Sequence, residues 1–256
     1  MSSRQAWIDI NKERQAICEK MVARLSPRVE RDELISWEHI VVGFFKKGTR
    51  TLRATNILIE DGLWEQAQIL ARVLFELRVN VDCFVIMAAE DDVAVCHRVI
   101  DSMMLEKIKQ LEASNYAGLD MLSGRPTRQD FQKTLKEIQS RYLSGEIAKL
   151  RKYGFTGLSI ENRAKRAGHE DAYQIVYRNF SRNVHSTDYV EHLGGPSITG
   201  ENFHREYVDS RDTVTLYVAH FSAGGIAEFT NFALRCDMDA ELDEIGRKQK
   251  MLREKE

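Results

Sequence analysis

The chain has 256 residues, of which 43% are apolar and 30% charged, and its formal net charge is -2. This length suits one large domain or two small ones, and the composition is typical of a soluble globular protein. The charge balance excludes a diffuse basic coat for non-specific nucleic-acid binding, but it does not exclude a local basic site. The four cysteines are scattered without a CxxC pair, so neither a disulfide framework nor a zinc site is indicated. A reduced cytoplasm suits them best.

Helical periodicity dominates the chain. Only three prolines occur, which favours long helices because proline breaks a helix interior. We predict helices over residues 4–25, about 30–60, 62–90, about 91–113, 128–152, about 169–192 and about 203–235, and the pattern allows a short helix at 160–166. Strand-type alternation persists nowhere. The sequence therefore predicts an all-α fold, a single helical bundle of about seven helices over residues 1–236. A charged C-terminal tail, 237–256, follows as a solvated helix or a disordered segment.

Local signals set the predicted helix ends and exclude a membrane span. Ser26 and Pro27 are expected to end the first helix. The polar N-terminus is not a signal peptide. The most apolar long stretch, 214–234, contains His220, Glu228 and paired glycines. A membrane span would be more uniformly apolar, so this stretch is predicted to be a buried helix, with the glycine pair allowing close helix packing.

The third predicted helix, 62–90, is apolar nearly all round, which is typical of a central buried helix. Its exceptions, Arg72, Glu76 and Asn80, follow one another at a spacing of four residues. A buried arginine needs a partner, and Arg72 can pair with Glu76 along the helix. This polar stripe is either a structural ion pair or a layer that faces a cleft or a second subunit. Cys83 lies on the same stripe and is expected to be a small core residue.

The stretch YRNFSRNVH, residues 177–185, is unusually rich in polar chemistry. On a helix with 100° per residue, it has one apolar face that packs inward. The members of that face are Tyr173, Val176, Tyr177, Phe180 and Val184. The opposite side carries Arg178, Ser181, Arg182 and His185 within an arc of roughly 100°. Arg178 and His185 are two turns apart and nearly superposed.

This polar face has a chemical interpretation and a simpler one. A histidine beside arginines can accept and donate protons near neutral pH, and the adjacent cations favour its neutral form. Arginines can bind a phosphate and stabilise developing negative charge. These groups suffice for metal-independent cleavage of RNA. The simpler interpretation is a solvated or interface face, since any surface helix has a polar side.

Other histidines do not indicate a metal or cofactor site. His185 and His192 are two turns apart, too far to ligate one ion directly, and His220 with Glu228 is expected to form a polar seam. No glycine-rich phosphate loop occurs. We therefore expect neither a metal nor a cofactor.

Arg178, the polar Asn179 and His185 resemble the Arg-x4-6-His motif of the HEPN superfamily of small α-helical proteins. The RVLFEL and YRNFSRNVHS blocks also resemble a bacterial family known only as domain-of-unknown-function family 5677. Many HEPN proteins are metal-independent ribonucleases of toxin–antitoxin and antiviral defence systems, and they typically dimerise into one composite site. The resemblance implies a cytoplasmic, HEPN-like homodimer that cleaves RNA and has an antitoxin or defence-system partner protein, without membrane attachment.

The resemblance also implies roles. His185 would be the general base or acid, and Arg178 would bind and stabilise the scissile phosphate. Asn179 and Arg182 would position it, while Ser181 and the Arg72–Glu76 layer would support the site. A second match, Arg163 to His169, is disfavoured because Gly168 is expected to break the helix between them. The alternatives are a non-catalytic interaction module of the same family and, third, a small-molecule sensor.

Overall fold

The computed structural model describes residues 3–113, 128–177, 180 and 201–254. These residues form ten α-helices and one π-helical turn, without a strand. The helices are α1 (Ser3–Glu30), α2 (Ser36–Glu60), α3 (Trp64–Glu90), α4 (Asp92–Ala113), α5 (Arg128–Arg141), α6 (Ser144–Tyr153), α7 (Ile160–Arg166), α8 (Glu170–Ala172), α9 (Glu201–Leu234) and α10 (Asp239–Arg253), and the π-helical turn is Tyr173–Tyr177. The all-α class is thus confirmed, whereas the count of about seven helices is not.

The chain divides into two compact units, one of Met1–Val81 with His169–Glu256 and one of Asp82–Gly168. In the first unit α1 packs against α2, α9 and α10, and α2 packs against α9. One of its core clusters consists of Trp7, Ile10, Ile59, Ala67 and Leu216. These side chains come from four helices, so burial of their apolar surface joins the helices of this unit. The predicted division at residue 236 stays a prediction.

Helix α1 differs from its predicted end, because it continues through Pro27 to Glu30. Proline removes one N–H donor but keeps its carbonyl, and the Pro27 carbonyl accepts from the Arg31 N–H at 3.1 Å. Tertiary contacts hold this last turn as well. The Arg28 Nη1 donates to the Leu234 carbonyl at 2.6 Å, and Arg24 donates to the Cys236 carbonyl. The prediction that the helix ends at Ser26-Pro27 was therefore wrong.

In the second unit, α4 packs against α5 and α6 around Leu105, Ile138 and Leu150. The predicted helix 128–152 is split there into α5 and α6. The Glu146 carboxylate accepts from the Leu143 N–H at 3.3 Å and so caps the start of α6. This cap adds a helix boundary that the charged periodicity of the sequence does not reveal.

Helix α10 lies in the segment predicted as a charged tail. Its Leu242 and Ile245 are buried, and the Lys248 Nζ contacts a carboxylate oxygen of Glu13 on α1 at 2.8 Å. Of the two states predicted for this segment, the helical one is present, and one of its faces is packed. No helix in the described part of the chain combines the length and the apolarity that a membrane crossing requires.

Candidate functional site

Arg72 and Glu76 form the ion pair that their spacing on α3 predicts. The Arg72 Nε donates to the Glu76 Oε1 at 3.1 Å, and the two side chains are 11% and 35% exposed. The surrounding positions of α3, including Leu74, Phe75 and Val79, are buried. An ion pair at this half-buried site keeps the guanidinium from being an uncompensated charge. Its predicted role as a supporting layer stays a prediction.

The YRNFSRNVH stretch is described only in part. Tyr173, Val176 and Phe180 are buried, so these three members of the predicted apolar face do pack inward. The polar members of the candidate site lie outside the described residues: Arg178, Asn179, Ser181, Arg182 and His185. Their convergence on one face, and the catalytic and supporting roles assigned to them, stay predictions.

The backbone directly before Arg178 has an unusual conformation. Helix α8 gives way to the π-helical turn Tyr173–Tyr177, directly before Arg178. Such turns are rare and often occur at functional sites. The wider i→i+5 bonding of this turn departs from 100° per residue within Tyr173–Tyr177. The turn is therefore a local feature that the apolar pattern alone does not reveal.

The second motif match is excluded as a helical pair. Arg163 lies on α7, which ends at Arg166, and Gly168 follows with a φ of 73°. This left-handed backbone suits glycine and ends the helix, so the predicted break at Gly168 is confirmed. His169 instead directly precedes α8 as its N-cap residue, and it packs edge-on against the ring of Phe221, with 5.8 Å between the ring centroids.

A buried pair that the sequence analysis did not identify joins Arg14 of α1 to His220 of α9. The Arg14 Nη2 lies 3.2 Å from the His220 Nε2, and both side chains are buried. The Glu228 carboxylate is 3.9 Å from the Arg14 Nη1, but the Glu228 side chain is 60% exposed. The expected seam of His220 and Glu228 is thus connected by an arginine from another helix. One signal was present: Arg14 lies on the same helical stripe as the buried Trp7 and Ile10.

His220 is neutral in this environment. Burial and, after it, the neighbouring Arg14 cation lower the pKa of His220 to about 3, while a hydrogen bond with Gln249 opposes the shift. Burial also lowers the pKa of Arg14. Since arginine only donates, the His220 Nε2 is the acceptor and its proton lies on Nδ1. Both side chains are inaccessible to solvent, so this pair holds the fold together rather than acting on a substrate.

The glycine pair on α9 is approached by arginines from two helices. An ideal Cβ on Gly225 would lie 0.8 Å from the Arg78 Nη1, and one on Gly224 would lie 3.2 Å from the Arg14 Nη2. The Arg78 guanidinium also lies over the Phe221 ring, 6.0 Å from its centroid. The predicted close packing at these glycines is confirmed, and the groups that pack there are arginine side chains from α1 and α3.

No group of three or more His, Cys, Asp or Glu side chains able to hold a metal ion is present in residues 3–113, 128–177, 180 and 201–254. All four cysteines are free and buried, Cys83 among them, as expected for a core residue.

The chain matches the model of a Family of unknown function (DUF5677) over residues 38–196, which is more than half of its length. It belongs to this family. The DUF5677 match includes the Arg72–Glu76 pair and the whole YRNFSRNVH stretch, whereas Arg14 and His220 lie outside it. A search of curated proteins and a search of solved structures each returned no match.

Proposed function

We propose that this DUF5677 protein is a HEPN-like, metal-independent endoribonuclease that acts as a homodimer in a bacterial stress or anti-phage defence system of the toxin type. The burial of Tyr173, Val176 and Phe180 carries the proposal. An anchored apolar face is what the predicted amphipathic helix requires if its other side is to present Arg178 and His185. The family match, which includes the whole stretch, and the π-helical turn just before Arg178 support it as well.

In the proposed reaction His185 takes the proton of a ribose 2′-OH as general base. The 2′-oxygen then attacks the adjacent phosphorus, and Arg178 stabilises the negative charge of the crowded phosphorane. The bond from phosphorus to the 5′-oxygen breaks, and the departing oxygen takes up a proton. The products are a 2′,3′-cyclic phosphate and a free 5′-OH, with no change in oxidation state.

The test is RNA cleavage in EDTA by wild type, His185→Ala and Arg178→Ala. We expect His185→Ala to reduce the rate by about 100-fold or more, as is typical for loss of a general acid or base. His97→Ala is the matched control, because His97 is an exposed histidine of α4 in the other unit and is not part of the proposed site. Cleavage that persists unchanged in His185→Ala would contradict the mechanism.

A second candidate, the non-catalytic interaction module, is favoured by an apolar stripe on α4. Val93, Ile100 and Met103 are 62%, 52% and 57% exposed at helical spacing. Exposed apolar groups at such spacing are typical of a helix that binds a partner. Wild-type protein that cleaves no RNA, but forms a dimer that Ile100→Lys dissociates in sedimentation analysis, would favour this candidate over the nuclease.

A further inference from the structure

A groove runs between α1 and α2, within the first unit. Its volume is about 540 Å³, which lies in the size range of small-ligand sites. The α1 side contributes Gln15, Glu19 and the small apolar side chains of Val22 and Ala23. We call this feature the α1–α2 groove.

Three cations line the α2 side of the groove, Lys46, Arg50 and Arg53. Their spacing of four and three residues places them on one face of the helix, where like charges destabilise it. Arg50 and Arg53 are exposed and Lys46 is half-buried. None of the three forms an ion pair with a carboxylate in the described part of the chain.

Glu19 is the one carboxylate among the described residues that line the groove, and it is hydrogen-bonded on the α1 side. The Gln15 Nε2 donates to the Glu19 Oε1 at 2.9 Å, and the Gln15 Oε1 accepts from the Asn56 Nδ2 at 2.8 Å. This chain of hydrogen bonds keeps Glu19 on the α1 side. The groove therefore has an excess of positive charge, although the whole chain is slightly acidic. A concave site with such an excess attracts anions.

We propose that the α1–α2 groove binds the phosphodiester backbone of single-stranded RNA through Lys46, Arg50 and Arg53. This inference rests on the proposed nuclease function and adds a substrate-binding surface to it. The three residues span about 10 Å along the helix axis at 1.5 Å per residue. Along one strand of duplex DNA the phosphates are about 3.4 Å apart in axial rise, so a strand of similar rise places several phosphates within reach of the three cations.

The lining also decides which part of the strand is bound. Among the described residues, no aromatic side chain lines the groove, so they do not provide the stacking platform that binds bases in single-strand-binding proteins. Binding through cations alone is independent of base sequence and depends strongly on salt. The concave shape suits a strand lying between two helices, whereas a membrane surface requires a flat or convex face.

Binding is tested separately from cleavage with a fluorescent RNA of about 12 nucleotides whose riboses are 2′-O-methylated, because this RNA lacks the attacking 2′-OH. Anisotropy titrations compare wild type with Arg50→Gln/Arg53→Gln over roughly 0.05 to 0.3 M salt. Each lost phosphate contact lowers the slope of log affinity against log salt by about 0.7 for single strands. We expect the double variant to lower that slope by about 1.4 and the affinity about 25-fold at 0.1 M salt.

The matched control is Lys133→Gln/Lys136→Gln, which removes the same charge from exposed positions of α5 in the other unit. It should bind RNA like wild type. Equal loss in both double variants, no binding of the RNA at low salt, or tighter binding to phosphatidylserine vesicles than to RNA would overturn the groove proposal. Inorganic phosphate that competes with the RNA at micromolar concentration would also overturn it, because a single phosphate would then suffice.

The two proposals fail in different ways. Groove-dependent binding of the methylated RNA, with no cleavage of ordinary RNA, would refute the nuclease and leave the groove proposal standing. Cleavage that depends on His185 but is unaffected by Arg50→Gln/Arg53→Gln would refute the groove and leave the nuclease standing.

Discussion

Substitutions at the two members of the buried Arg14–His220 pair should lower the free energy of unfolding by unequal amounts. We compare Arg14→Met, which replaces the cation by an apolar chain of similar length, with His220→Leu, which removes its acceptor. The hydrogen bond from the Arg14 Nη2 to the His220 Nε2 is the one that this guanidinium makes to the described residues. Its carboxylate neighbour, Glu228, is 3.9 Å away and mostly exposed. His220 is thus the main group that compensates the buried charge.

The loss in the free energy of unfolding depends on which buried group each variant leaves without a hydrogen-bond partner. His220→Leu leaves a buried cation without its acceptor, and such changes cost about 3 kcal/mol or more. Arg14→Met leaves a neutral imidazole nitrogen unpaired, which costs about 1 to 2 kcal/mol, but it also removes the desolvation penalty of the charge. The double variant has neither the buried cation nor the unpaired imidazole nitrogen, and its remaining defect is imperfect packing. We expect it to be more stable than His220→Leu by about 1.5 kcal/mol or more.

Urea unfolding followed by tryptophan fluorescence measures these differences in the relevant unit, because Trp7, Trp37 and Trp64 all lie within Met1–Val81. Trp7 is the closest probe, since its ring packs edge-on against the His220 ring with 5.9 Å between centroids. The reasoning is refuted if Arg14→Met is as destabilising as His220→Leu, or if the free-energy changes of the two single variants simply add in the double variant.

Three further predictions concern pH, close packing and a buried carboxylate. His220 binds a proton below about pH 6.5 in the unfolded chain, but only below about pH 3 in the folded protein. The free energy of unfolding should therefore fall as pH drops from about 6.5 to about 3, by up to about 1.4 kcal/mol per pH unit. In His220→Gln this dependence of the free energy of unfolding on pH should be weaker. Gly225→Ala should lower stability by about 1 kcal/mol, because its Cβ displaces the Arg78 guanidinium. In the Arg78→Ala background, where this clash is absent, the same change should raise the melting temperature slightly, because alanine is favoured over glycine in a helix interior. Burial and, after it, the hydrogen bond that the Asp101 carboxylate accepts from the Tyr142 hydroxyl at 2.9 Å raise the pKa of Tyr142 to about 12. Asp101→Asn should therefore lower this pKa in an absorbance titration; an unchanged titration would show that burial alone raises it.

The sequence was sufficient to predict features that depend only on residues close together along the chain. The Arg72–Glu76 pair joins residues four apart on one helix, and the φ of Gly168 is a property of that residue's own backbone. Both were therefore predictable. Pro27 shows the limit of such rules, because a proline signal that normally ends a helix was overridden by contacts of Arg24 and Arg28 with carbonyls more than two hundred residues away.

The sequence by itself determined the all-α class, the burial of side chains along α3 and the inward face of Tyr173, Val176 and Phe180, since these depend on the spacing of apolar residues. Only the tertiary structure decided that Arg14 meets His220, 206 residues away, and that three cations of α2 share a groove with α1. Periodicity specifies which side of a helix is buried, but it does not specify which other helix covers that side. Long-range partners depend on packing and loop closure, which no local spacing encodes.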